Sequence, residues 1–350
     1  MNDSLEAADV AVCVGRFQPF HLGHLALVQQ ALAVAPTVVV VIGSAFQARS
    51  PKNPFTWRER EEMLRLALGE ADAMRVVVLP MRDFYDEARW VAAVQAGVAP
   101  HVPPRGQVAL VGHFKDATSA YLRAFPGWTV REIPRMTEAD GTGLRDALFG
   151  SDPGELDATL AALVEQAPLT TRTWLRAWMA LPAAAAVREE WAMLKRYKAA
   201  WAAAPYPPVF VTVDAVVQCA GTVLLVRRGE APGRGLWAVP GGFLEQRETV
   251  YQSAVRELQE ETGLALLDAT MRRSLRAVAV FDHPDRSQRG RTLTHAHHFD
   301  LGERELPEAA GADDAAEARW VPIAELAAME DRFHDDHFHM LDHFLGLTPR

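Results

Sequence analysis

The chain has 350 residues, of which 49% are hydrophobic and 23% charged, values that exclude a disordered, collagenous or coiled-coil protein. Its length favours two domains over one core, and a net charge of −9 argues against a nucleic-acid binder held by a basic field. The acidic excess is local: residues 1–150 hold 15 Lys and Arg against 16 Asp and Glu, whereas residues 206–350 hold 15 against 23.

The first segment, residues 1–150, alternates short apolar runs with helical stretches. Apolar runs without alternation suit strands covered on both faces, as in a parallel sheet. The predicted strands are 10–15, 37–45, 75–81, 108–113 and 128–134, and the clearest helices are 24–35 and 56–69. The segment therefore predicts a doubly wound α/β domain.

Residues 151–205 are rich in Ala, Leu and Trp at helical spacing and predict a helical connector. Pro205, Pro207 and Pro208 then break the helix. From Val209 the chain reads as strands around one clear helix, which predicts an α+β domain over 206–350. The fold class is α/β, with two unrelated catalytic modules.

The compartment is predicted from the cysteines and the N-terminus. Cys13 and Cys219 lie in apolar runs and suit buried strands, and two cysteines allow at most one disulfide. The acidic start does not resemble a signal peptide, and no apolar run reaches the roughly 18 residues of a spanning helix. We expect a cytoplasmic enzyme with neither a membrane nor a nucleic-acid partner. A homo-oligomer is compatible with the sequence.

The first chemical motif follows the first predicted strand. Gly15 ends that strand, and His21 and His24 precede or open a helix whose free N–H groups attract phosphate. Transfer at a nucleotide phosphorus needs positioning and charge neutralisation rather than a protein nucleophile. By itself, an H-x-x-H pair fits a metal site or exposed histidines equally well.

The full run GRFQPFHLGH (15–24) resembles the signature of the nucleotidylyltransferase superfamily, in which a T/H-x-G-H motif lies in the first turn of a Rossmann-like sheet. Three further stretches are similar to nicotinamide mononucleotide (NMN) adenylyltransferases of archaea and some bacteria: SPKNPFTWRER (50–60), RDFYDEARWVAAVQ (82–95) and VGHFKD (111–116). The resemblance implies NMN and ATP as substrates, with Mg²⁺ on the polyphosphate.

The resemblance also implies roles for individual residues. His21, His24 and Arg145 would stabilise transition-state charge. Trp57 and Trp90 would stack on the cationic nicotinamide ring, although either position also suits a hydrophobic core. The complete set of implied NMN and ATP contacts is Gly15, Arg16, Phe17, Gln18, Asn53, Trp57, Trp90, Gly112, His113, Lys115, Asp116 and Thr142.

One motif departs from the family pattern. The late phosphate motif of the family reads I-S-x-T-x-x-R, and here Thr142 and Arg145 keep their places while Asp140 replaces the serine. Arg145 still suits a triphosphate because its planar donor fork matches phosphate oxygens. The contribution of Asp140 is left open by the sequence.

The second chemical motif lies in the predicted helix over 249–262. Glu257, Glu260 and Glu261 fall at i, i+3 and i+4, so a helix places all three carboxylates on one face. A hard divalent cation, Mg²⁺ with Mn²⁺ as an alternative, would resolve their repulsion, neutralise a diphosphate and activate water. Arg256 would pair with a carboxylate and orient it.

These residues complete the Nudix box: Gly242, five residues, Glu248, seven residues, Arg256-Glu257-Leu258, one residue, Glu260-Glu261, one residue, Gly263-Leu264. Gly263 predicts a left-handed helix end, and the pair Gly241-Gly242 predicts a tight turn before the helix. The catalytic base is either a box glutamate or an outside one such as Glu317.

The substrate of the Nudix half is predicted from residues 281–299, which resemble a segment of ADP-ribose-type members. Arg286, Arg289 and Arg291 are thereby candidates to bind phosphate or ribose. A solvated basic loop accounts nearly as well for any one of them.

Together the halves resemble the bifunctional NMN adenylyltransferase/Nudix hydrolase family. The resemblance implies that one domain makes NAD and pyrophosphate from NMN and ATP, and that the other hydrolyses ADP-ribose to AMP and ribose 5-phosphate. Two alternatives remain: adenylyl transfer to another acceptor, such as a flavin or pantetheine phosphate, and a Nudix half that only senses ADP-ribose.

Overall fold

The computed structural model describes residues 8–113, 121, 123–134 and 136–349. The chain divides into two compact units, Met1–Glu189 and Glu190–Arg350. Within the described ranges, the helices are too short or too polar to cross a bilayer.

The first unit is built on a five-stranded sheet in which every neighbouring pair is parallel. The strand order is β3-β2-β1-β4-β5, which is a Rossmann-like, doubly wound arrangement. β2 and β4 are buried almost throughout, as strands covered on both faces should be. The predicted α/β domain is confirmed. The strands are β1 (Val10–Gly15), β2 (Thr37–Ile42), β3 (Val76–Pro80), β4 (Val108–Gly112) and β5 (Thr129–Glu132).

Helices connect these strands and continue beyond them. α2 starts at a capping box, in which Thr56 and Glu59 satisfy each other's backbone N–H groups. α4 packs Val91, Val94 and Val98 into the core beside β1 and β4. The helices are α1 (Leu22–Val34), α2 (Trp57–Ala67), α3 (Glu70–Ala73), α4 (Glu87–Val98), α5 (Gly141–Gly150), α6 (Leu156–Ala162) and α7 (Leu169–Trp178), with 3-10 turns at Ala99–His101 and Pro153–Glu155.

Most of the predicted connector packs with the first unit. Trp178 at the end of α7 is 2% exposed, and its ring lies 4.8 Å from that of Phe55, centroid to centroid. Its indole Nε1 donates to Glu59 Oε1 at 3.3 Å. The two compact units meet inside α8 (Pro182–Ala200). The predicted domain boundaries at 150 and 205 stay a prediction.

The second unit is built on a mixed seven-stranded sheet, which confirms a domain of a different type from the first. Its main path is β10-β11-β6-β7-β12, with β8 paired to β7 and β9 paired to β6. Only β11 and β6 run parallel among the described pairs. The strands are β6 (Val209–Cys219), β7 (Thr222–Arg228), β8 (Trp237–Ala238), β9 (Gly241–Phe243), β10 (Leu275–Phe281), β11 (Arg291–Asp300) and β12 (Ala315–Pro322).

Helices cover both faces of this sheet. Val217 of β6 packs with Leu258 on the α9 side, and Val216 packs with Leu341 on the α12 side. α9 ends at Gly263, whose φ of 64° is the predicted left-handed end. The helices are α9 (Val250–Thr262), α10 (Asp268–Ser274), α11 (Ile323–Leu326) and α12 (His337–Leu345), with a 3-10 segment at Ala327–Arg332.

Candidate active sites

The loop after β1 is held in place by buried side chains of its own residues. Phe17 is buried with a left-handed φ of 53°, and Gln18 is 3% exposed. The Gln18 amide donates to Phe55 O at 2.8 Å and accepts from Phe55 N at 3.0 Å. Both side chains therefore support the loop that Gly15 opens, and the predicted substrate contacts of Phe17 and Gln18 stay a prediction.

His21 and His24 lie together at the start of α1, as their spacing predicts. Their rings stack with centroids 3.6 Å apart, and Gly23 N donates to His21 Nδ1 at 3.1 Å. Burial lowers the pKa of His21 to about 4, and burial together with the charge of His21 lowers that of His24 well below its usual value. His24 Nδ1 has no hydrogen-bond partner among the described residues. Both rings are therefore neutral near pH 7 and act as dipolar hydrogen-bonding groups.

Arg145 reaches the same loop from α5. Its Nη1 donates to Gln18 O at 2.5 Å, and its Nη2 donates to Thr142 Oγ1 at 3.1 Å. Burial lowers the pKa of Arg145 to about 10, so it stays charged at neutral pH. Asp140 is the N-cap of α5 and accepts from Gly143 N at 2.9 Å, a capping role that serine also performs. The replacement at position 140 therefore preserves the helix start.

One sequence-predicted contact, Asn53, lies between the end of β2 and the start of α2. Asn53 is 6% exposed, its Nδ2 donates to Gln47 Oε1 at 2.6 Å, and its Oδ1 meets no partner within the described part of the chain. Gln47 Nε2 donates in turn to Asp83 Oδ2 at 2.8 Å, and the same carboxylate accepts from Ser44. Asn53 Oδ1 is thus a buried hydrogen-bond acceptor on a side chain that Gln47 and Asp83 hold in place. The sequence predicted Asn53 but not this network.

The predicted stacking residues Trp57 and Trp90 lie in different surroundings. Trp57 is half-buried at the first position of α2, with the Arg58 guanidinium 4.4 Å from its ring centroid. Trp90 makes edge-on contacts with Tyr121 and Phe125 at 5.5 and 5.4 Å and packs against the hydrophobic core. Trp90 is only partly buried, and the stacking of Trp57 and Trp90 on the nicotinamide ring stays a prediction beside the core alternative.

The remaining predicted ATP contacts follow β4. Gly112 ends the strand, and its carbonyl accepts from Ile133 N at 2.9 Å. His113 follows at the same edge of the sheet, where the carboxyl ends of the strands collect ligands in such folds. Lys115 and Asp116 lie outside the described residues.

A further arginine of the first unit was missed from the sequence. Arg60 on α2 is 1% exposed, and its guanidinium donates to the carbonyls of Arg16, Gly43 and Ser44. The available signal was an arginine at a helix position that must face the sheet. It links the ends of β1 and β2 beneath the predicted site.

In the second unit, Arg256 connects the acidic side chains of the Nudix box. Its Nε donates to Glu248 Oε2 at 3.0 Å, and its Nη1 donates to Glu257 Oε1 at 3.0 Å and Glu260 Oε2 at 2.7 Å. The predicted pairing of Arg256 is therefore present with three carboxylates, and the guanidinium lies where these negative charges converge.

Glu261 lies apart from Arg256, against the strand before the helix. It is 5% exposed, and its Oε2 accepts from Gly241 N at 3.0 Å. Burial raises the pKa of Glu261 to about 9, and the charges of Asp314 and Glu257 add to the rise. Asp314 is an acidic neighbour that the sequence reading missed in the run Asp313-Asp314, whereas Glu317 lies 4.0 Å from Arg227.

The predicted tight turn at Gly241 and Gly242 is not formed. Both glycines lie in β9 and pair with β6. A Cβ on Gly242 would lie 2.4 Å from Glu257 Oε1, and one on Gly241 would lie 2.3 Å from Val213 O. The glycines are needed because the catalytic helix and β6 approach this strand so closely.

The box residues fit a divalent cation chemically. Within the described ranges, no three Asp, Glu, His or Cys side chains are arranged to enclose an ion, because Arg256 holds Glu257 and Glu260 while Glu261 turns to Gly241. All three are oxygen donors on consecutive turns of one helix, which suits a hard cation. Burial raises the pKa of Glu257 as well as Glu261, and a cation would relieve this concentration of negative charge.

The three arginines predicted to bind ADP-ribose are all engaged. Arg286 is 6% exposed and forms a two-bond ion pair with Asp336, at 2.8 Å from both Nε and Nη2. Arg286 is therefore part of a buried ion pair here, and its predicted contact with ADP-ribose stays a prediction. Arg289 lies 5.1 Å from the ring centroid of Phe243, and Arg291 donates to the carbonyl of Asp282.

Comparison with known proteins agrees with this division. Residues 208–344 match the NUDIX domain family, and residues 12–84 match the Cytidylyltransferase-like family. Over 142 residues the chain is 38% identical to a nicotinamide/nicotinic acid mononucleotide adenylyltransferase of Acinetobacter baylyi, covering 40% of this chain and 76% of that one. It is 43% identical over 84 residues to a nicotinamide-nucleotide adenylyltransferase of Methanolobus tindarius, covering 24% and 48%.

A solved structure matches nearly the whole chain. It is a bifunctional NMN adenylyltransferase/ADP ribose pyrophosphatase of Francisella tularensis in complex with AMP and a manganese ion. The identity is 33% and the TM-score 0.87, and the match covers 97% of this chain and 99% of that one.

The parallel-sheet unit with its histidine pair and the mixed-sheet unit with its glutamate helix define an enzyme that combines a nucleotidylyltransferase with a Nudix hydrolase. The chain belongs to the family of bifunctional NMN adenylyltransferase/ADP-ribose pyrophosphatases. Nudix hydrolases act with divalent metal ions.

Proposed function

We propose that the first unit joins NMN to ATP, giving NAD and pyrophosphate, and that the second hydrolyses ADP-ribose to AMP and ribose 5-phosphate. The observation that carries the first reaction is the convergence of His21, His24 and Arg145 on one rigid loop after β1. The observation that carries the second is the glutamate face of α9, pressed against β9. We further propose a cytoplasmic location. A homo-oligomer stays a prediction.

In the transfer reaction, a phosphate oxygen of NMN attacks the α-phosphorus of ATP while the bond to the β-phosphate oxygen breaks. Neutral His21 and His24 would donate hydrogen bonds to phosphate oxygens, because their low pKa values leave each ring with one N–H at pH 7. Arg145 would add fixed positive charge, and Trp57 would stack on the nicotinamide ring. Mg²⁺ on the polyphosphate would supply further positive charge.

In the hydrolysis, water attacks one phosphorus of the diphosphate and the other phosphate leaves with its ribose. Glu257, Glu260 and Glu261 would hold Mg²⁺, with Mn²⁺ as an alternative. When bound, the metal neutralises the diphosphate and makes water a stronger nucleophile. Arg256 would keep Glu257 and Glu260 in place, and a box glutamate or Asp314 would take the proton from water.

Paired substitutions in the full chain test both assignments. Glu261→Gln should abolish AMP release from ADP-ribose while leaving NAD synthesis at the wild-type rate. His24→Ala should do the reverse, because its ring lies in the other unit. Loss of both activities from either substitution would contradict independent sites.

The two alternatives have their own tests. An acceptor screen with ATP would identify a flavin or pantetheine phosphate acceptor if NMN gave no turnover with the wild-type chain. A Nudix unit that binds ADP-ribose but releases no AMP with Mg²⁺ present would be a sensor. The complete set of box carboxylates supports the enzyme, because a sensor has no need of them.

A further inference from the structure

Arg60 is a buried cation whose hydrogen bonds all go to backbone carbonyls. Its Nη1 donates to Arg16 O and Gly43 O, each at 2.7 Å, and its Nη2 donates to Ser44 O at 3.1 Å. Its Nε donates to Thr56 O at 3.2 Å, one turn earlier on the same helix. A carbonyl satisfies a guanidinium N–H without cancelling its charge, so Arg60 keeps its positive charge in the interior.

The carbonyls that Arg60 binds belong to backbone in unfavourable conformations. Arg16 O is in the peptide that precedes Phe17, whose φ is 53°, and Ser44 itself has a φ of 49°. A left-handed conformation at a non-glycine residue costs on the order of 1–2 kcal/mol and persists only when its surroundings hold it. Arg60 bonds the backbone at both of these positions, after β1 at Arg16 and after β2 at Ser44.

Arg145 completes this arrangement from the other side. It binds the carbonyl of Gln18, while Arg60 binds that of Arg16, so the two buried guanidinium groups hold the Arg16–Phe17 and Gln18–Pro19 peptides of this loop. The exposed Arg16 lies near both, since its charge contributes to lowering the pKa of each. The backbone that carries the exposed Arg16 side chain is thus held by Arg60 at its own carbonyl.

We propose that Arg60 is a positioning residue for nucleotidylyl transfer, which acts through Arg16. By fixing the Arg16–Phe17 peptide, it directs the Arg16 side chain toward the polyphosphate that His21 and Arg145 contact. The inference rests on the proposed transfer reaction of the first unit. Arg60 itself is 1% exposed and is held by the ends of both strands, so it does not touch the substrate.

The test is a double-mutant cycle measured as the kcat/KM of NAD formation with varied ATP. Arg60→Lys keeps the charge, but one ammonium group cannot bond the carbonyls of Arg16, Gly43 and Ser44 together. We expect its kcat/KM to fall roughly 10- to 100-fold. In an Arg16→Ala background the same substitution should cost less than about threefold, because the side chain through which it acts is gone. Arg65→Lys is the matched control: it is on the same helix, exposed and paired with Glu61, and should keep the wild-type rate.

Folding is monitored in the same preparations through AMP release from ADP-ribose and through thermal unfolding. A purely structural role for Arg60 predicts equal losses with and without Arg16, and that result would overturn the proposal, as would wild-type activity of Arg60→Lys. If Arg60→Lys does not fold, Arg60→Gln takes its place in the cycle with the same two outcomes. Failure of the proposed reaction is separate, because the wild-type chain itself would then form no NAD.

Discussion

Gly242→Ala should separate catalysis from stability in the Nudix unit. A Cβ at this position would lie 2.4, 2.5 and 2.6 Å from Oε1, Cδ and Oε2 of Glu257. Ordinary contact requires the carboxylate to withdraw by ~1 Å. The obstacle is the flexible end of a side chain and Gly242 has no left-handed φ, so the fold should change in stability by less than about 1 kcal/mol.

The same displacement should be costly for hydrolysis. A catalytic group displaced by 1 Å loses about 100-fold in rate, equivalent to about 2.7 kcal/mol of transition-state stabilisation. The assay is kcat/KM for AMP release from ADP-ribose with Mg²⁺, beside NAD synthesis by the same preparation. We expect the first to fall about 100-fold and the second to stay unchanged.

Gly154 in the first unit and Gly241 next to Gly242 provide controls. Gly154→Ala meets open space and should leave both activities intact. Gly241→Ala would place its Cβ 2.3 Å from Val213 O, a backbone atom that cannot withdraw, so it should destabilise the second unit by about 1–3 kcal/mol. Wild-type hydrolysis by Gly242→Ala would refute the argument that the position of the Glu257 carboxylate limits the reaction.

Three further outcomes are expected. Asp336→Ala should destabilise the second unit by about 3–5 kcal/mol in denaturant unfolding, because it leaves Arg286 buried and unpaired; an unchanged midpoint would show that the pair is not buried in solution. Asp140→Ser should match wild type, whereas Asp140→Ala should lose about 1 kcal/mol of α5 capping in thermal unfolding, and equal melting of the two would contradict the cap. The pKa of His21, lowered from 6.5 to about 4 by burial, should appear in an NMR titration. Because the folded pKa lies below the unfolded one, its stabilisation is complete above pH 6.5 and is lost as the pH falls toward 4, and a titration near 6.5 would refute burial.

The sequence predicted those features that depend on neighbours along the chain. The strands of the first unit follow from uninterrupted apolar runs such as 37–45, and the glutamate face of α9 follows from the spacing of Glu257 and Glu261. The helix end at Gly263 follows from the freedom of glycine to adopt a positive φ. Each of these signals is complete within a few residues.

The missed features depend on partners far away in the chain. Arg60 binds a carbonyl 44 positions before it, and Arg286 pairs with a carboxylate 50 positions after it. The sequence presents both only as arginines, one in a helix and one in a basic loop, so Arg60 was overlooked and the ion pair of Arg286 with Asp336 was not predicted. Only the tertiary structure distinguishes an arginine that holds backbone from one that can bind phosphate.

The two halves differ in net charge, and their arginines differ in the groups that accept their hydrogen bonds. In the first unit, the hydrogen bonds of Arg60 and Arg145 described above go to carbonyls and a hydroxyl, which accept them without neutralising the guanidinium charge. In the second unit, Arg256 is bound by Glu248, Glu257 and Glu260; although burial opposes it, these carboxylates raise the pKa of Arg256 above its usual value. The positive charge of Arg256 is therefore balanced by carboxylates of the protein itself. For the proposed hydrolysis, the charge that neutralises the diphosphate would therefore come from a cation held by the carboxylates of the box.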